Sequence, residues 1–167
     1  LTMSVIKSAI GGVLFIDEAY SLYRGKEDSF GLEAIDTLVK AMEDNRDNLI
    51  VILAGYKKEM ATFLEANSGL KSRFPNIIYF PDYTGEELVK IAQIQAKSKG
   101  YTISEEAMVP LQKYFEEVQA TRASEAGNGR FARNVIEEAI LKQAQRLLKE
   151  QDSPLDVLQL QDFSLQE

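Results

Sequence analysis

The sequence predicts an α/β fold in which the C-terminal part of a parallel-sheet domain is followed by an all-helical domain. As far as Pro81, short apolar runs without polar alternation are separated by segments of helical periodicity. This order is typical of strands buried on both faces of a right-handed α/β sheet. From Thr84 onward no strand candidate appears and helical periodicity takes over. We therefore expect two domains, residues 1–83 and 84–167.

The first domain is predicted to alternate helices and strands. Apolar spacing predicts, in order, a helix over residues 2–10, a strand over 13–16, a helix over 32–42, a strand over 49–54, a helix over 57–66 and a strand over 77–80. Ligands of such sheets lie at the carboxyl ends of the strands. Residues that directly follow a strand are therefore the first candidates for chemistry.

The second domain is predicted to be helical throughout. Thr84 and Glu87 have the spacing of a capping box and open a helix that Gly100 ends. Pro110 predicts a kink or a late start in the helix that comes next. The remaining elements are a helix over residues 104–120, a long amphipathic helix over 131–148 and an unassigned element over 155–163.

Composition and charge exclude several classes of function. The 167 residues include 19 basic and 26 acidic side chains, giving a net charge of −7, and no basic stripe suits a nucleic acid or an anionic membrane. Cysteine and histidine are absent, which excludes disulfides, thiolate or imidazole metal sites and Ser-His-Asp triads. No apolar run approaches the roughly 20 residues that cross a bilayer, and we expect a cytoplasmic protein.

The strongest local signal is an acidic pair after the first predicted strand. Val13–Ile16 are apolar, and Asp17 and Glu18 follow at the ligand edge of the sheet. Adjacent side chains on an extended chain point in opposite directions, so one carboxylate can hold Mg²⁺ near phosphates while the other orients and deprotonates water. This is the Walker B pattern of nucleotide hydrolases. The alternative is a solvated acidic turn.

Two further segments place arginines where phosphate chemistry could use them. Arg73 falls between the second and third predicted strands, where it could reach the γ-phosphate of a neighbouring subunit as an arginine finger. The alternative is a surface arginine paired with a carboxylate. Arg130 and Arg133 lie in the N-terminal turn of the long helix. Because positive charge there opposes the helix dipole, a phosphate ligand would explain their position.

Five segments together resemble one family. They are G-G-V-L-F-I-D-E-A-Y at Gly11 to Tyr20, L-A-G-Y-K at Leu53 to Lys57, N-S-G-L-K-S-R-F at Asn67 to Phe74, F-P-D-Y at Phe80 to Tyr83, and G-N-G-R-F-A-R-N at Gly127 to Asn134. In this order they resemble the AAA+ ATPases of the CbbX (red-type rubisco activase) and stage V sporulation protein K family. The resemblance covers nearly the whole chain.

The resemblance implies a role for each candidate and implies ATP and Mg²⁺ as cofactors. Asp17 and Glu18 match the Walker B pair, with Asp17 at the metal and the nucleotide and Glu18 as the catalytic acid that activates water. Arg73 matches the arginine finger. Arg130 matches the sensor 2 residue of the helical lid, with Arg133 as the fallback.

Two positions in the first domain fit the family less simply. Sensor 1, usually a polar residue after the strand that follows Walker B, falls here at Gly55 or Tyr56. Tyr56 could serve through its hydroxyl, or no residue serves. The resemblance also implies that residues 20–30 form a loop facing the central pore of a ring.

The largest departure from the family is a missing motif. No G-x-x-x-x-G-K-[ST] phosphate loop occurs in the 167 residues, so we expect a chain truncated before Walker B that is inactive alone. In the full-length protein we expect a ring, a hexamer, that couples ATP hydrolysis to remodelling of a protein substrate, with no nucleic-acid or membrane partner. The alternative is a non-catalytic adaptor module that binds a protein partner.

Overall fold

The computed structural model describes residues 2–23, 25, 28–66, 68–122, 128–150 and 152–165. The chain divides into two compact units, Leu1–Tyr79 and Phe80–Glu167. In the described part of the chain, no helix combines the length and the apolar character needed to cross a membrane.

The first unit contains two short parallel strands with helices packed against them. β1 and β2 pair in register, from Val13 opposite Ile50 to Ile16 opposite Leu53, so both strands end at the same edge. The predicted helices and strands up to residue 66 are present within a few residues, whereas α4 is additional. The elements are α1 (Thr2–Ala9), β1 (Val13–Ile16), a 3₁₀ helix (Ala19–Leu22), α2 (Ser29–Asp44), β2 (Ile50–Leu53), α3 (Lys57–Ala66) and α4 (Ser68–Arg73).

Helix α2 begins ahead of its apolar periodicity because Asp28 caps it. The Asp28 carboxylate accepts a hydrogen bond from the Gly31 N–H at 3.0 Å, which satisfies one donor that the first turn leaves unpaired. Gly31 is required at this point, since a Cβ would lie 2.3 Å from the Leu22 carbonyl oxygen. The helix then buries Ile35 and Leu38 in the first unit.

Only one face of the two-stranded sheet is covered by described residues. Leu14 is 9% exposed and packs with Leu38 and Leu49. The prediction that these strands are buried on both faces is therefore wrong for this chain, because its described helices cover a single face. On the other face, the apolar side chains are 46% to 60% exposed: Val13, Phe15, Ile50 and Ile52.

The predicted third strand, Ile77 to Phe80, is also wrong. These residues form no strand, and their side chains are 60% to 84% exposed. A strand needs a neighbour that accepts and donates its backbone hydrogen bonds, and the described residues provide none for this segment. The apolar, β-branched composition of this segment favours a strand, but composition does not supply the paired neighbour that a strand requires.

The second unit is mainly helical, and two very short parallel strands join its C-terminal segment to it. Thr102 pairs with Val157 and Ile103 with Leu158. The prediction that no strand follows Thr84 is therefore wrong, because two-residue strands are too short to produce a periodic pattern. The elements are α5 (Gly85–Ser98), β3 (Thr102–Ile103), α6 (Glu105–Arg122), α7 (Gly129–Leu147), β4 (Val157–Leu158) and a 3₁₀ helix (Leu160–Asp162).

The capping box predicted at the start of α5 and the glycine predicted to end it are both confirmed. The Thr84 hydroxyl accepts from the Glu87 N–H at 3.2 Å, and the Glu87 carboxylate accepts from the Thr84 N–H at 2.8 Å, which completes the capping box. Gly100 has a φ of 85°, a conformation that glycine adopts without steric cost. Pro110 lies inside α6, so this helix starts at Glu105 and not at the proline.

The C-terminal segment is held on α7 by buried polar contacts. The Arg146 guanidinium contacts the Asp162 carboxylate through two hydrogen bonds, of 2.8 Å and 3.1 Å, and the side chains are only 8% and 1% exposed. The buried Gln143 amide donates to the carbonyls of Leu155 at 2.9 Å and Val157 at 3.2 Å. These bonds satisfy groups that would otherwise be costly to bury.

Candidate functional site

The acidic pair lies at the carboxyl end of β1, where both strands of the first unit end. The side chains of Asp17 and Glu18 are exposed. The Glu18 N–H donates to Asp17 Oδ1 at 2.9 Å, and the Ala19 N–H donates to the carbonyl of Ala54 at 3.0 Å. Because Ala54 follows β2 directly, this bond extends the strand pairing past the acids and fixes their turn to both strands.

Glu18 adopts a backbone conformation that is uncommon for its residue type. Its φ of 47° and ψ of 45° lie in the left-handed region, which glycine, asparagine and aspartate enter more readily. The Glu18 carbonyl accepts a hydrogen bond from the Ser21 N–H at 2.8 Å. A disfavoured conformation persists where the surroundings hold it, and such residues cluster at functional sites. This geometry therefore marks Glu18 as a candidate functional residue.

The residues that follow β2 pack against Tyr20. The ring centroids of Tyr20 and Tyr56 are 6.4 Å apart. A Cβ added to Gly55 would lie 2.8 Å from both Tyr20 Cε1 and Met60 Sδ, so a side chain at this position would require Tyr20 or Met60 to shift. Tyr56, which is 67% exposed, is the polar candidate at the end of β2.

Tyr20, expected from the sequence only as the first residue of the implied pore loop, lies at this edge of the sheet. Burial raises the pKa of its phenol, and the charges of nearby groups, Glu18 first, raise it further. The hydroxyl is therefore a protonated donor at neutral pH. Its packing against Gly55 is a contact between distant parts of the sequence, which periodicity cannot reveal.

The implied pore loop over residues 20–30 is only partly described. Tyr20 lies in the first 3₁₀ helix, and Ser29 and Phe30 belong to α2, so both ends of this range are helical and not loop. Residues 24, 26 and 27 lie outside the described residues.

The acids supply the type of ligand that Mg²⁺ prefers, which is carboxylate oxygen. Among the described residues there is no group of three or more acidic side chains that could hold a metal ion. Mg²⁺ commonly binds through one or two carboxylates, with waters and substrate phosphates completing its octahedron. Asp17 and Glu18 therefore offer carboxylate oxygens of the kind that Mg²⁺ uses as ligands.

Arg73, the last residue of α4, is paired within the first unit. Its guanidinium lies 2.6 Å from the Glu43 carboxylate at the end of α2 and also donates to the Gly69 carbonyl at 3.2 Å. The side chain is 32% exposed and that of Glu43 is 68% exposed. Arg73 is therefore half-buried, and its carboxylate partner is well solvated.

Arg130 and Arg133 lie in the second unit, close to the start of α7, as predicted from the sequence. α7 begins at Gly129, and its first turn carries no acidic residue. Both arginine side chains are exposed, and neither makes an ion pair or hydrogen bond with a described residue. The first unit thus brings Asp17, Glu18 and Tyr56 to one edge of its sheet, whereas these two arginines belong to the second unit.

Two family models match successive parts of the chain. Residues 2–82 match the model of the ATPase family associated with various cellular activities (AAA). Residues 84–167 match the AAA lid domain model. Together they account for nearly the whole sequence.

Curated relatives and a solved structure agree with these matches. The chain is 49% identical to stage V sporulation protein K of Bacillus subtilis over 99% of this chain and 53% of that protein. It is 44% identical to protein CbbX of Cereibacter sphaeroides over 93% of this chain and 50% of that protein. The chain thus spans about half the length of these relatives. A solved structure of a RuvB mutant from Thermotoga maritima shares its fold, with a TM-score of 0.64 at 20% identity over 97% of this chain and 47% of the other.

Proposed function

The chain belongs to the AAA family of ATPases, and we propose that it supplies the water-activating acids and the helical lid of a ring-forming ATPase that remodels a protein substrate. The proposal concerns the full-length protein, since the chain spans about half of its curated relatives and its 167 residues contain no phosphate loop. ATP and Mg²⁺ are the proposed cofactors.

The exposed acidic pair is the observation that carries the proposal. Asp17 and Glu18 lie where β1 and β2 both end, which is where parallel sheets bind ligands. Asp17 is proposed to hold Mg²⁺, which would neutralise charge on the β and γ phosphates. Glu18 is proposed to orient the attacking water and to accept its proton.

Tyr56 is proposed as sensor 1, the group that helps to position the attacking water. A side chain at Gly55 would require Tyr20 or Met60 to shift, whereas Tyr56 is exposed and carries a hydroxyl. A phenol can donate a hydrogen bond to water or to a phosphate oxygen. This assignment makes Tyr56, not Gly55, the residue to substitute.

The arginines are proposed to contact the γ-phosphate from two sources. We assign Arg73 as an arginine finger that acts on the neighbouring subunit of a hexameric ring. Its present partner, Glu43, is solvated, and exposed ion pairs contribute at most about 1 kcal/mol, so a phosphate could displace this carboxylate. Arg130 is assigned as sensor 2, with Arg133 as the fallback, because both are exposed at a helix N-terminus, which favours anions.

The decisive experiment replaces Glu18 by glutamine in the full-length protein. Glu18→Gln keeps the size and the hydrogen-bonding reach of the side chain but removes the base, so we expect kcat for ATP to fall by about 10²–10⁴-fold. Nucleotide binding, measured by titration with a fluorescent ATP analogue and Mg²⁺, should persist. Glu59→Gln, a neutralisation in the first turn of α3, is the matched control and should retain turnover.

The rival function is a protein-binding adaptor without catalysis, which the lack of a polar side chain at Gly55 favours. If the full-length protein is such an adaptor, it should show no ATP turnover. The Glu18→Gln variant would then have no activity to lose. Undiminished turnover in the Glu18→Gln variant would instead remove Glu18 from the role of base.

A further inference from the structure

Asn128 connects the start of α7 to the segment that leads into α5. Its amide nitrogen donates to the Asp82 carboxylate at 2.6 Å, and its amide oxygen accepts from the Tyr83 N–H at 3.0 Å. The Asn128 carbonyl accepts from the Ala132 N–H at 3.2 Å. One residue thus starts the α7 helix and binds residues that are 45 and 46 positions away in sequence.

The segment at Asp82 and Tyr83 is held from a second direction. The Gln119 side-chain amide on α6 donates to the Tyr83 carbonyl, and a Cβ on Gly129 would lie 3.8 Å from the Tyr83 ring. Thr84, the next residue, caps α5. The backbone N–H and carbonyl of Tyr83 are therefore bound by the residue that opens α7 and by α6, respectively.

The backbone of Asn128 is unusual in a way that favours this role. Its φ is 46° and its ψ is −121°, and non-glycine residues seldom adopt a positive φ. Glycine would adopt it more easily but would offer neither side-chain hydrogen bond. The two bonds to Asp82 and Tyr83 explain why an asparagine can be held in this conformation.

We propose that Asn128 is a positioning residue that sets the direction of the first turn of α7 and hence the placement of Arg130. Arg130 is only two positions along the chain, and its exposed side chain has no partner among the described residues. Its location is thus set by the backbone from which it projects. The inference rests on the proposed function, in which Arg130 contacts the nucleotide.

The test is a double-mutant cycle in the full-length protein with Mg²⁺ and ATP. Asn128→Gly keeps the positive φ accessible and removes both side-chain bonds, so we expect kcat to fall on the order of 10-fold to 100-fold. In an Arg130→Ala background the same change should cost less than about twofold, because residues that act through one another are non-additive. A purely structural loss would lower kcat equally in both backgrounds.

A reversal of the hydrogen-bond pair gives an independent readout. Asn128→Asp places a second carboxylate against Asp82 and should lower kcat. Adding Asp82→Asn places an amide donor at position 82 opposite the carboxylate at position 128, so the direction of the hydrogen bond is reversed. This second change should recover most of the lost activity. Gln143→Leu is the matched control, since it removes two side-chain bonds elsewhere on α7 and should show no coupling to Arg130→Ala.

The outcomes separate the two levels of the proposal. If Arg130→Ala leaves ATP turnover unchanged, the assignment of Arg130 in the proposed function is wrong. If Arg130→Ala is harmful but Asn128→Gly is neutral, or is equally harmful in both backgrounds, the positioning role of Asn128 is wrong.

Discussion

At the scale of single residues, the Arg73 guanidinium has one observed partner, the Glu43 carboxylate, and one proposed partner, a phosphate. Its guanidinium is bound to Glu43 at 2.6 Å within the chain, while its proposed role requires a phosphate in a neighbouring subunit. The two roles predict different results for the two partners of the ion pair. Substituting each partner in turn therefore distinguishes them.

Arg73→Ala in the full-length protein should lower kcat for ATP by about 10³–10⁵-fold, the usual contribution of an arginine finger. Glu43→Gln should change kcat by less than about threefold, because it removes an exposed ion pair and leaves the arginine in place. Both are measured by steady-state ATP turnover. Equal losses in the two variants would identify Arg73 as a structural partner of Glu43 only.

Subunit mixing tests whether Arg73 acts in trans. An Arg73→Ala subunit keeps Glu18, and a Glu18→Gln subunit keeps Arg73, so a mixed ring contains interfaces with both groups intact. Turnover of the mixture should exceed that of either variant alone. A mixture as inactive as its components would contradict action across subunits.

The positions of the candidate residues could be predicted from the sequence, whereas their surroundings could not. Asp17 and Glu18 follow an apolar run, and Arg130 lies at a helix start, so local pattern marked them as candidates, and the family resemblance supplied the roles proposed for them. Tyr20 and Asn128 matter through contacts with residues far away in sequence, at Gly55 and at Asp82 and Tyr83. Local pattern carries no information about such contacts.

At the scale of elements, the success of prediction depended on where the stabilising partner lies. Helices α2, α5 and α7 have apolar faces within their own segments, α2 and α5 also have local side-chain caps, and all three helices were predicted. The strand over Ile77 to Phe80 was not formed, because a strand depends on a neighbour. The pairing of β3 with β4 was not predicted, because it joins segments more than 50 residues apart.

Helix α7 also offers a pH-dependent contact with the C-terminal segment. The hydroxyl of Ser164 donates to the Glu138 carboxylate, and Lys142 lies 3.3 Å from it. The pKa of Glu138 lies below its ordinary value of 4.5, mainly because of the hydrogen bond from Ser164. Lys142 lowers this pKa further. A lowered folded-state pKa stabilises the fold above pH 4.5, and this stabilisation is lost as the pH falls through the folded-state pKa.

Glu138→Gln should therefore reduce the free energy of unfolding at pH 7, and the difference from the unsubstituted protein should shrink as the pH falls below 4.5. The side chain is 55% exposed, so solvent screening limits the effect to a fraction of 1 kcal/mol. Urea denaturation at pH 7, 5, 4 and 3 measures it. Glu137→Gln on the same helix is the matched control, and a pH-independent difference for Glu138→Gln would contradict the assignment.

At the scale of the whole molecule, the candidate chemistry is divided between two units. The first unit carries the acids and Arg73, and the second carries Arg130 and Arg133. Neither contains a phosphate loop within the 167 residues. The chain by itself is thus proposed to hold groups for hydrolysis without the main anchor for ATP.

The 167-residue chain alone should accordingly bind ATP weakly. We expect no saturable, Mg²⁺-dependent binding up to about 1 mM ATP, the upper end of the usual KM range, because backbone N–H groups of a phosphate loop normally supply much of the contact. Isothermal titration measures this directly. The full-length Glu18→Gln variant serves as the positive control, and tight binding by the chain alone would refute the prediction.

The parallel register of β1 with β2 restricts how the acidic turn can vary among related proteins. Ile16 lies opposite Leu53, and the Ala19 N–H binds the Ala54 carbonyl, so the spacing from the sheet to Asp17 and Glu18 is fixed at both ends. Because side chains alternate between faces, inserting or deleting one residue within β1 would turn the acids to the opposite side. Homologues that keep this chemistry should therefore vary here by substitution, with alignment gaps confined to the segments beyond the first 3₁₀ helix.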